Sequence, residues 1–384
     1  MNVAASPGTA QAHQTGTTAL VHFNHSDTGS LTTWPDMRTS AWKPNYGDML
    51  VCVSILRQLM LGKTTRVGFG YVPNVPVSRA IVRGSTYLHR SFDFEAANKT
   101  LDALDVPLAI VGLGAQNPEA EVTFLDTHRP AHDFIARLNE RSASISVRGA
   151  FTAAVVERLG GRNIRVTGCP SMFYTLTTPE VRLPDLLSRP ERSIGVSIHS
   201  GLTRNIFCRS PEDCRQKHGQ AIIWAIENAL QVSLFEQGVP LEYDVADRDL
   251  AFDDRRAAAT DVLRRIGAEG RITPERLMAH MVSVKSIEEW LAKARDLDAI
   301  IGFRFHGNMV ALLQSRPCMY LTYDSRLDEF CQLYGLPARD VRAPWEDPVA
   351  IMLAHDWDDT NRRIAALSSE LRAFYAENGL ETLF

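Results

Sequence analysis

Ile300-Ile301-Gly302-Phe303-Arg304-Phe305-His306-Gly307 is the stretch on which the reading of this chain turns. Asp298 to Phe305 is nearly continuously apolar, as in a strand buried on both faces of a parallel sheet. The strand is expected to stop at His306 and Gly307. An apolar helical run, Asn308 to Gln314, follows at once, and another strand starts after Pro317. Such a strand-loop-helix corner points backbone N–H groups and the positive end of a helix dipole out of the sheet's carboxyl edge. Ligands of open α/β sheets sit at that edge. Arg304 and His306, two apart on a strand, would project to one face. A fixed cation, a titratable ring and a helix N-terminus in one corner suit an anion that undergoes proton chemistry.

Working outward, the spacing predicts more units of the same kind. On the C-terminal side they are the strand Cys318 to Thr322, the helix Arg326 to Tyr334 and a long last helix, Asp358 to Asn378. Upstream come the strand Ser193 to Ile198, a helix over Ala221 to Gln237, a strand over Leu241 to Val245 and a helix over Asp253 to Ile266. Ser286 to Arg295 is a helix capped by Ser286, with Glu289 three residues on, a capping-box pattern. The first part of the chain alternates similarly. Strands are expected at Ala19 to Phe23, Arg66 to Val72, Ala80 to Val82, Pro107 to Leu113, Ser144 to Val147 and Ile164 to Thr167. Helices are expected at Met49 to Leu61, Phe94 to Leu104, His128 to Arg141 and Ala150 to Leu159. A polar loop with Gly29, Pro35 and Pro44 precedes the first helix. Strands alternating with helices at this spacing mean parallel sheets.

The expected organisation is therefore α/β, with two doubly wound domains and a cleft between them. Residues 1–18, rich in Ala, Gly, Thr, Gln and Ser, read as a flexible tail without the charged start and apolar core of a signal peptide. Residues 19–178 form a first domain, Thr178 to Arg192 a linker with three prolines, and residues 193–345 a second domain. Residues 346–384 are helices packing back across both.

The 384 residues are 45% hydrophobic and 22% charged, ordinary for a globular chain, with formal net charge −4 and no large basic tract. Nucleic acid is thereby an unpromising partner. No apolar run approaches the roughly 18 residues that span a membrane, so a cytoplasmic protein is expected. The six cysteines contain no C-x-x-C pair and read as free thiols. There is no P-loop, no G-x-G-x-x-G after a strand, no H-E-x-x-H, no G-x-S-x-G and no zinc-ligand spacing. No metal and no cofactor are expected.

Several strands end in polar residues with glycine: Gly114-Ala115-Gln116, Arg148-Gly149, Gly168-Cys169-Pro170-Ser171, His199-Ser200-Gly201 and Arg304-x-His306-Gly307. Each alone is ordinary turn chemistry; together they place polar tips along one edge of each sheet, facing one cleft. Plainer readings stand beside the functional ones. Arg148 could be a surface arginine and His306 a core histidine. Asn45 and Asp48 look like a helix N-cap, and Asp324 and Asp328 like caps around Arg326. Glu346, Asp347, Asp356, Asp358 and Asp359 read as a solvated face.

These landmarks together resemble the polysaccharide pyruvyl transferase family. They run in the family's order from Asn45-x-Gly47-Asp48 through Gly112-x-Gly114-Ala115-Gln116, Ser146-Val147-Arg148-Gly149 and Gly168-Cys169-Pro170-Ser171. Gly302-x-Arg304-x-His306-Gly307, Pro317, Tyr323-x-x-Arg326 and Leu333-x-Gly335-Leu336 complete the series, over about residues 45–337. The Arg-x-His-Gly element is the most specific of them. The resemblance implies two Rossmann-like domains in a GT-B-like arrangement. It also implies transfer of pyruvate from phosphoenolpyruvate, as donor substrate, onto a sugar of a polysaccharide or glycan precursor as a ketal, with no further cofactor. It gives Arg148 and Arg304 the role of clamping the donor's anions, and His306 that of acid, base or phosphate ligand. The helix start at Gly307 and Asn308 would add N–H donors. Arg326 stands where many relatives have lysine, which keeps charge but changes geometry. Asn45, Asp48 and Gln116 would line the acceptor side, with His199 a further proton-transfer candidate. A lipid-linked acceptor would bring the protein to the membrane surface. Residues 1–40 and 203–218 fall outside the matched motifs and are expected to shape acceptor choice.

The competing reading is a nucleotide-sugar glycosyltransferase of the same architecture. Such enzymes often hold the ribose with a glutamate in the following helix, whereas Asn308 to Arg316 contains no Asp or Glu. A non-catalytic scaffold would have lost the charged tips that are present here.

Overall fold

The computed structural model describes residues 16–23 and 45–384. The tail expected over residues 1–18 lies outside the described residues except for its last three, and Thr18 already opens the first strand. The loop with Gly29, Pro35 and Pro44 also lies outside them.

The first sheet is wholly parallel. It contains β1 (Thr18–Val21), β2 (Thr64–Val67), β3 (Arg79–Arg83) and β4 (Leu108–Val111) in the order β2-β1-β3-β4. A parallel pair, β5 (Ile145–Val147) and β6 (Ile164–Val166), extends it. Leu113 N–H donates to Ser146 O and Arg148 N–H to Leu113 O, each at 2.9 Å, stitching β5 to the end of β4. The second sheet contains β7 (Ser193–Ser197), β8 (Gln231–Phe235), β9 (Met281–Val282), β10 (Ala299–Gly302), β11 (Cys318–Thr322) and β12 (Ala338–Asp340). Its order is β12-β11-β10-β7-β8-β9, again all parallel. Strand order reverses between β7 and β10, and the crevice beyond the carboxyl ends at such a reversal is the ligand position of doubly wound sheets.

The helix Tyr46–Gln58 explains how the two sheets are held together. Met49, Leu50, Val51, Cys52 and Ile55 are fully buried. They share one core with Leu20, Ile81 and Val111 of the first sheet and with Met309 and Val310 of the second half. Each such apolar side chain stabilises by about 1.5–3 kcal/mol on burial, so the start of this helix is firmly placed between the halves. Polar contacts add to it. Tyr46 Oη donates to Glu236 at 2.8 Å, and Glu329 accepts from the backbone and hydroxyl of Thr152 at 2.6 and 2.8 Å. The last helix, Trp357–Glu377, touches both halves. Tyr375 donates to Gln58 at 2.8 Å, Arg165 pairs with Glu370 at 2.6 Å, and Thr360 donates to Gly335 O at 2.6 Å. Between the halves, Val181 is tied to Asn361 of that helix through both backbone groups, at 2.8 and 3.1 Å.

Several expected elements are different. The helix expected over Ala221 to Gln237 is Pro211–Asn228, followed by β8. Pro211 at the first helical position with Glu212 and Asp213 behind it is a helix-start signal. The apolar run beyond Asn228 belongs to a strand. The strand expected over Leu241 to Val245 is the helix Pro240–Ala246, which Pro240 presets in the same way. The helix Pro274–His280 and strands β9 and β12 are additional to the expected set.

At the opening stretch, β10 stops at Gly302, not at Phe305. Gly302 takes φ of 142°, which an L side chain rarely adopts, and a Cβ there would press on Ser197. Arg304 is therefore the N-cap, and His306 lies in the first turn, of a helix Phe305–Leu312. The two do not share a strand face; a helix start aims both into the crevice.

Candidate active site

A cavity of about 320 Å³ opens where the carboxyl ends of the two sheets face each other. Eight of the expected residues line it: Asn45, Asp48, Gln116 and Arg148 from the first half, and His199, Arg304, His306 and Arg326 from the second. Gly307 and Asn308 are not among the lining residues.

The first wall is built on the helix Tyr46–Gln58. Asn45 is its N-cap, with Oδ1 accepting from Asp48 N–H at 3.4 Å and Nδ2 donating to the Asp48 carboxylate at 3.2 Å. Asp48 pairs with Arg83 at the end of β3, at 2.9 Å. Burial opposes its ionisation, but Arg83, then His306 and Arg148, hold its pKa below the usual carboxylate range. Gly47 has a specific reason to be glycine: a Cβ there would overlap Nδ1 of the His306 imidazole. The Asn-x-Gly-Asp element is thus the seat of the histidine from the opposite half.

Arg148, at the tip of β5, is 6% exposed. Its guanidinium donates only to main-chain carbonyls, Gly112 O at 2.9 Å and Gly84 O at 3.3 Å, and lies 5.6 Å over the Phe305 ring. No ion pair joins it to a carboxylate among the described residues. Gln116 donates to Asp324 across the cleft at 2.8 Å.

The second wall is more internally neutralised. Arg304 donates to Ile198 O at 2.8 Å and pairs with the fully buried Glu242 at 3.4 Å. Burial raises the pKa of Glu242, against the pull of Arg304 and of the Ser200 hydrogen bonds. Arg326 donates to Tyr323 Oη at 2.9 Å and to Asp324 at 3.4 Å, and faces Phe305 at 6.0 Å. Asp324 is the N-cap of the helix Ser325–Tyr334, accepting from Leu327 N–H at 2.9 Å. The plain capping reading is therefore right for Asp324, and the cap also serves the cleft.

His306 sits between the walls. Its Nε2 lies 3.7 Å from Cys169 Sγ, which in turn lies 2.9 Å from Ser171 Oγ. Burial and the positive charge of Arg148 press its pKa well below the ordinary histidine value, with Asp48 opposing and Arg326 and Arg83 adding to the depression. His199 is likewise depressed, by burial and then by Arg304. His199 Nδ1 and Gln237 Oε1, both buried and on residues lining the cavity, have no hydrogen-bond partner among the described residues.

Asn308 is spent on the scaffold. It accepts from Ser197 Oγ at 2.6 Å and donates to Gly302 O and Met319 O at 3.3 and 2.9 Å. Its N–H bonds Arg304 O at 3.1 Å within the helix, so the donors at this helix start belong to the residues before it. Gly307 is wedged where Ser197, Gln237 and Arg304 meet.

Arg83, Cys169, Gln237, Glu242 and Phe305 were not singled out as site residues. Arg83 carries the signal that singled out Arg148, an arginine closing an apolar strand. Gln237 and Glu242 lie in the two segments where the structure differs from the expected helix and strand.

Residues 45–325 match the family model described as polysaccharide pyruvyl transferase. No curated protein matches the chain significantly. Among solved structures, the chain is similar to Anabaena HepE in complex with UDP and glucose, at 7% identity and TM-score 0.46, covering 95% of this chain and 97% of that one. It is also similar to a putative UDP-N-acetylglucosamine 2-epimerase from Listeria monocytogenes, at 10% identity and TM-score 0.42, covering 95% and 90%. The Methanocaldococcus jannaschii UDP-GlcNAc 2-epimerase gives 10% identity and TM-score 0.39, covering 92% and 99%. Likenesses this distant say nothing of what this chain binds. No helix among the described residues is long and apolar enough to cross a membrane.

Proposed function

The chain belongs to the polysaccharide pyruvyl transferase family, and from that premise we propose that it moves pyruvate from phosphoenolpyruvate onto two hydroxyls of a sugar as a ketal. The observation that carries the reading is Arg148, a buried guanidinium on the cavity wall with carbonyl partners alone. Arg304 and Arg326 stand opposite it. Phosphoenolpyruvate carries a carboxylate and a phosphate, and guanidinium forks match both.

His306 is the proton donor in this scheme. The donor's negative charge offsets the arginines that depress the ring, so the imidazole takes up a proton as the donor binds. It passes that proton to the methylene carbon, which becomes the methyl group, and C2 becomes cationic. A sugar hydroxyl, oriented by the ionised Asp48, attacks C2, and its proton restores His306. The C2–O bond to phosphate breaks, the second hydroxyl closes the ketal, and its proton leaves on the phosphate. Charge and protons balance over the two steps. His199 Nδ1 and Gln237 Oε1, without partners among the described residues, are suited to sugar hydroxyls. The acceptor is a saccharide, lipid-linked or free.

The test is a thermal-shift titration with phosphoenolpyruvate, with UDP-sugars as the comparison. Saturable stabilisation by phosphoenolpyruvate, lost in Arg148→Ala, supports the donor assignment. Stabilisation by a nucleotide sugar alone overturns it in favour of a glycosyltransferase.

A further inference from the structure

Cys208 and Cys214 are the one pair of thiols in contact among the described residues, with their sulfurs 3.0 Å apart. All six cysteines are free and buried. Cys208 stands two residues before Ser210, the N-cap of the helix Pro211–Asn228, and Cys214 lies in that helix's first turns. The positive end of a helix favours thiolate. The contacts agree. A hydrogen bond from Cys214 lowers the Cys208 pKa against burial and the charge of Asp324, helped by the Ser210 N–H and by Arg209. Burial instead pushes Cys318 and Cys331 up. Cys208 keeps 8% of its surface exposed and Cys214 none, so the thiol with thiolate character is the one an oxidant reaches and the second is placed to resolve it; in reducing compartments such pairs cycle.

The position of the pair matters. Asn205 and Phe207, immediately before Cys208, line the cavity. The Phe207 ring meets His89 of the first half edge-on at 5.2 Å. Just after Cys208, Arg209 is fixed by Asp340 at 2.6 Å, by Asp328 and by its own N–H to Tyr323 O at 3.0 Å. Cys208 thus links the cavity lip on one side to a fixed Arg209 on the other.

We propose that Cys208 and Cys214 form a reversible disulfide that sets the position of the Asn205–Phe207 lip of the cavity. With hydrogen peroxide as oxidant, the Cys208 sulfur takes one oxygen as the O–O bond breaks, giving a sulfenic acid and water. The Cys214 sulfur then attacks, the S–S bond forms and the oxygen leaves as a second water. Two thiols and one peroxide become a disulfide and two waters, and a dithiol reverses the change.

The readouts use neither donor nor acceptor, so they stand apart from the proposed transfer reaction. The full chain is treated with peroxide, alkylated, digested and weighed. The expected result is a Cys208–Cys214 cross-link, lacking two hydrogens and abolished by dithiothreitol, with the other four thiols still alkylated. Cys214→Ser should instead trap a dimedone-reactive sulfenic acid at Cys208. Full alkylation of both residues after peroxide, or cross-links to other cysteines, would overturn the pairing. Hydrogen exchange of residues 203–209 should slow in the oxidised wild type and stay unchanged in peroxide-treated Cys214→Ser. Equal exchange in oxidised and reduced wild type would remove the link to the lip, and that comparison needs no variant.

Discussion

Arg148, just past β5, and Arg304, the helix N-cap that follows β10, line one cavity from opposite walls, yet they are held in different ways. Arg148 donates only to carbonyl oxygens and lies over an aromatic face; Asp48 and Glu329 feel its charge, but no carboxylate pairs with it directly among the described residues. Arg304 has Glu242, fully buried, as its counter-charge. A buried cation with no carboxylate in direct contact gains more from an anionic ligand than one already paired within the scaffold. The pair teaches that one residue type can be held in two ways around one cavity: Arg304 is already matched by a scaffold carboxylate, whereas Arg148 keeps its guanidinium for the donor role proposed above.

The ring between the walls gives the largest expected effect. His306→Asn should lower turnover by about 10²–10⁴-fold, the range for a lost general acid, with donor affinity nearly kept. Donor binding should also draw protons from solution, because burial and Arg148 depress the ring and the donor's charge offsets Arg148. Titrations in buffers of different ionisation enthalpy should show that uptake in wild type and none in His306→Asn. Uptake that survives the substitution would assign the proton to another group.

Arg148→Met should weaken phosphoenolpyruvate by about 2–5 kcal/mol without lowering the melting temperature of the free protein. A clear loss of stability would mean that Arg148 is framework too. Arg304→Met should do the reverse in part, destabilising the free protein by up to about 3 kcal/mol. The sign of its pH dependence is fixed by Glu242, whose folded pKa is raised. Such a group binds more protons folded than unfolded, so its contribution is fully present below the ordinary glutamate pKa and is lost as pH rises. The Arg304→Met defect should therefore shrink on acidification, and chemical denaturation across pH checks it.

A smaller effect is expected at the junction of the halves, where burial raises Glu329 to about 7. Its contribution is present below about pH 4.5 and lost as pH rises through 7. Glu329→Gln should keep the bond to Thr152 and flatten that slope, by up to about 3 kcal/mol.

Much of the architecture was legible because its signals are local. Cys318–Thr322 was read to the residue, and Ser286 caps its helix by accepting from Glu289 N–H at 3.0 Å, as the S-x-x-E pattern foretold. The failures came where a signal is ambiguous by nature. A continuous apolar run can be helix or strand, so the segment through Val232, Leu234 and Phe235 was assigned to the preceding helix. The end of β10 was misplaced because Gly302 stops it through contact with Ser197, a residue more than one hundred positions away. In the site, the polar tips could be read as facing one cleft, but their partners could not. Sequence says nothing of Glu242 beneath Arg304, a contact that exists only once β7, β8 and β10 lie side by side, or of Cys169 beside His306, which meet only when the first half docks against the second. Asn308 is the same lesson inverted, a polar residue at the right corner whose groups are turned into the sheet.

The most direct test of the account is calorimetric titration of phosphoenolpyruvate into the wild-type protein and into Arg148→Met, with the fold of each verified by circular dichroism. The account predicts saturable binding to wild type and binding at least about 30-fold weaker, the low end of the range above, in the variant. Equal affinity in the two proteins, or a wild type that binds a UDP-sugar and ignores phosphoenolpyruvate, would contradict it.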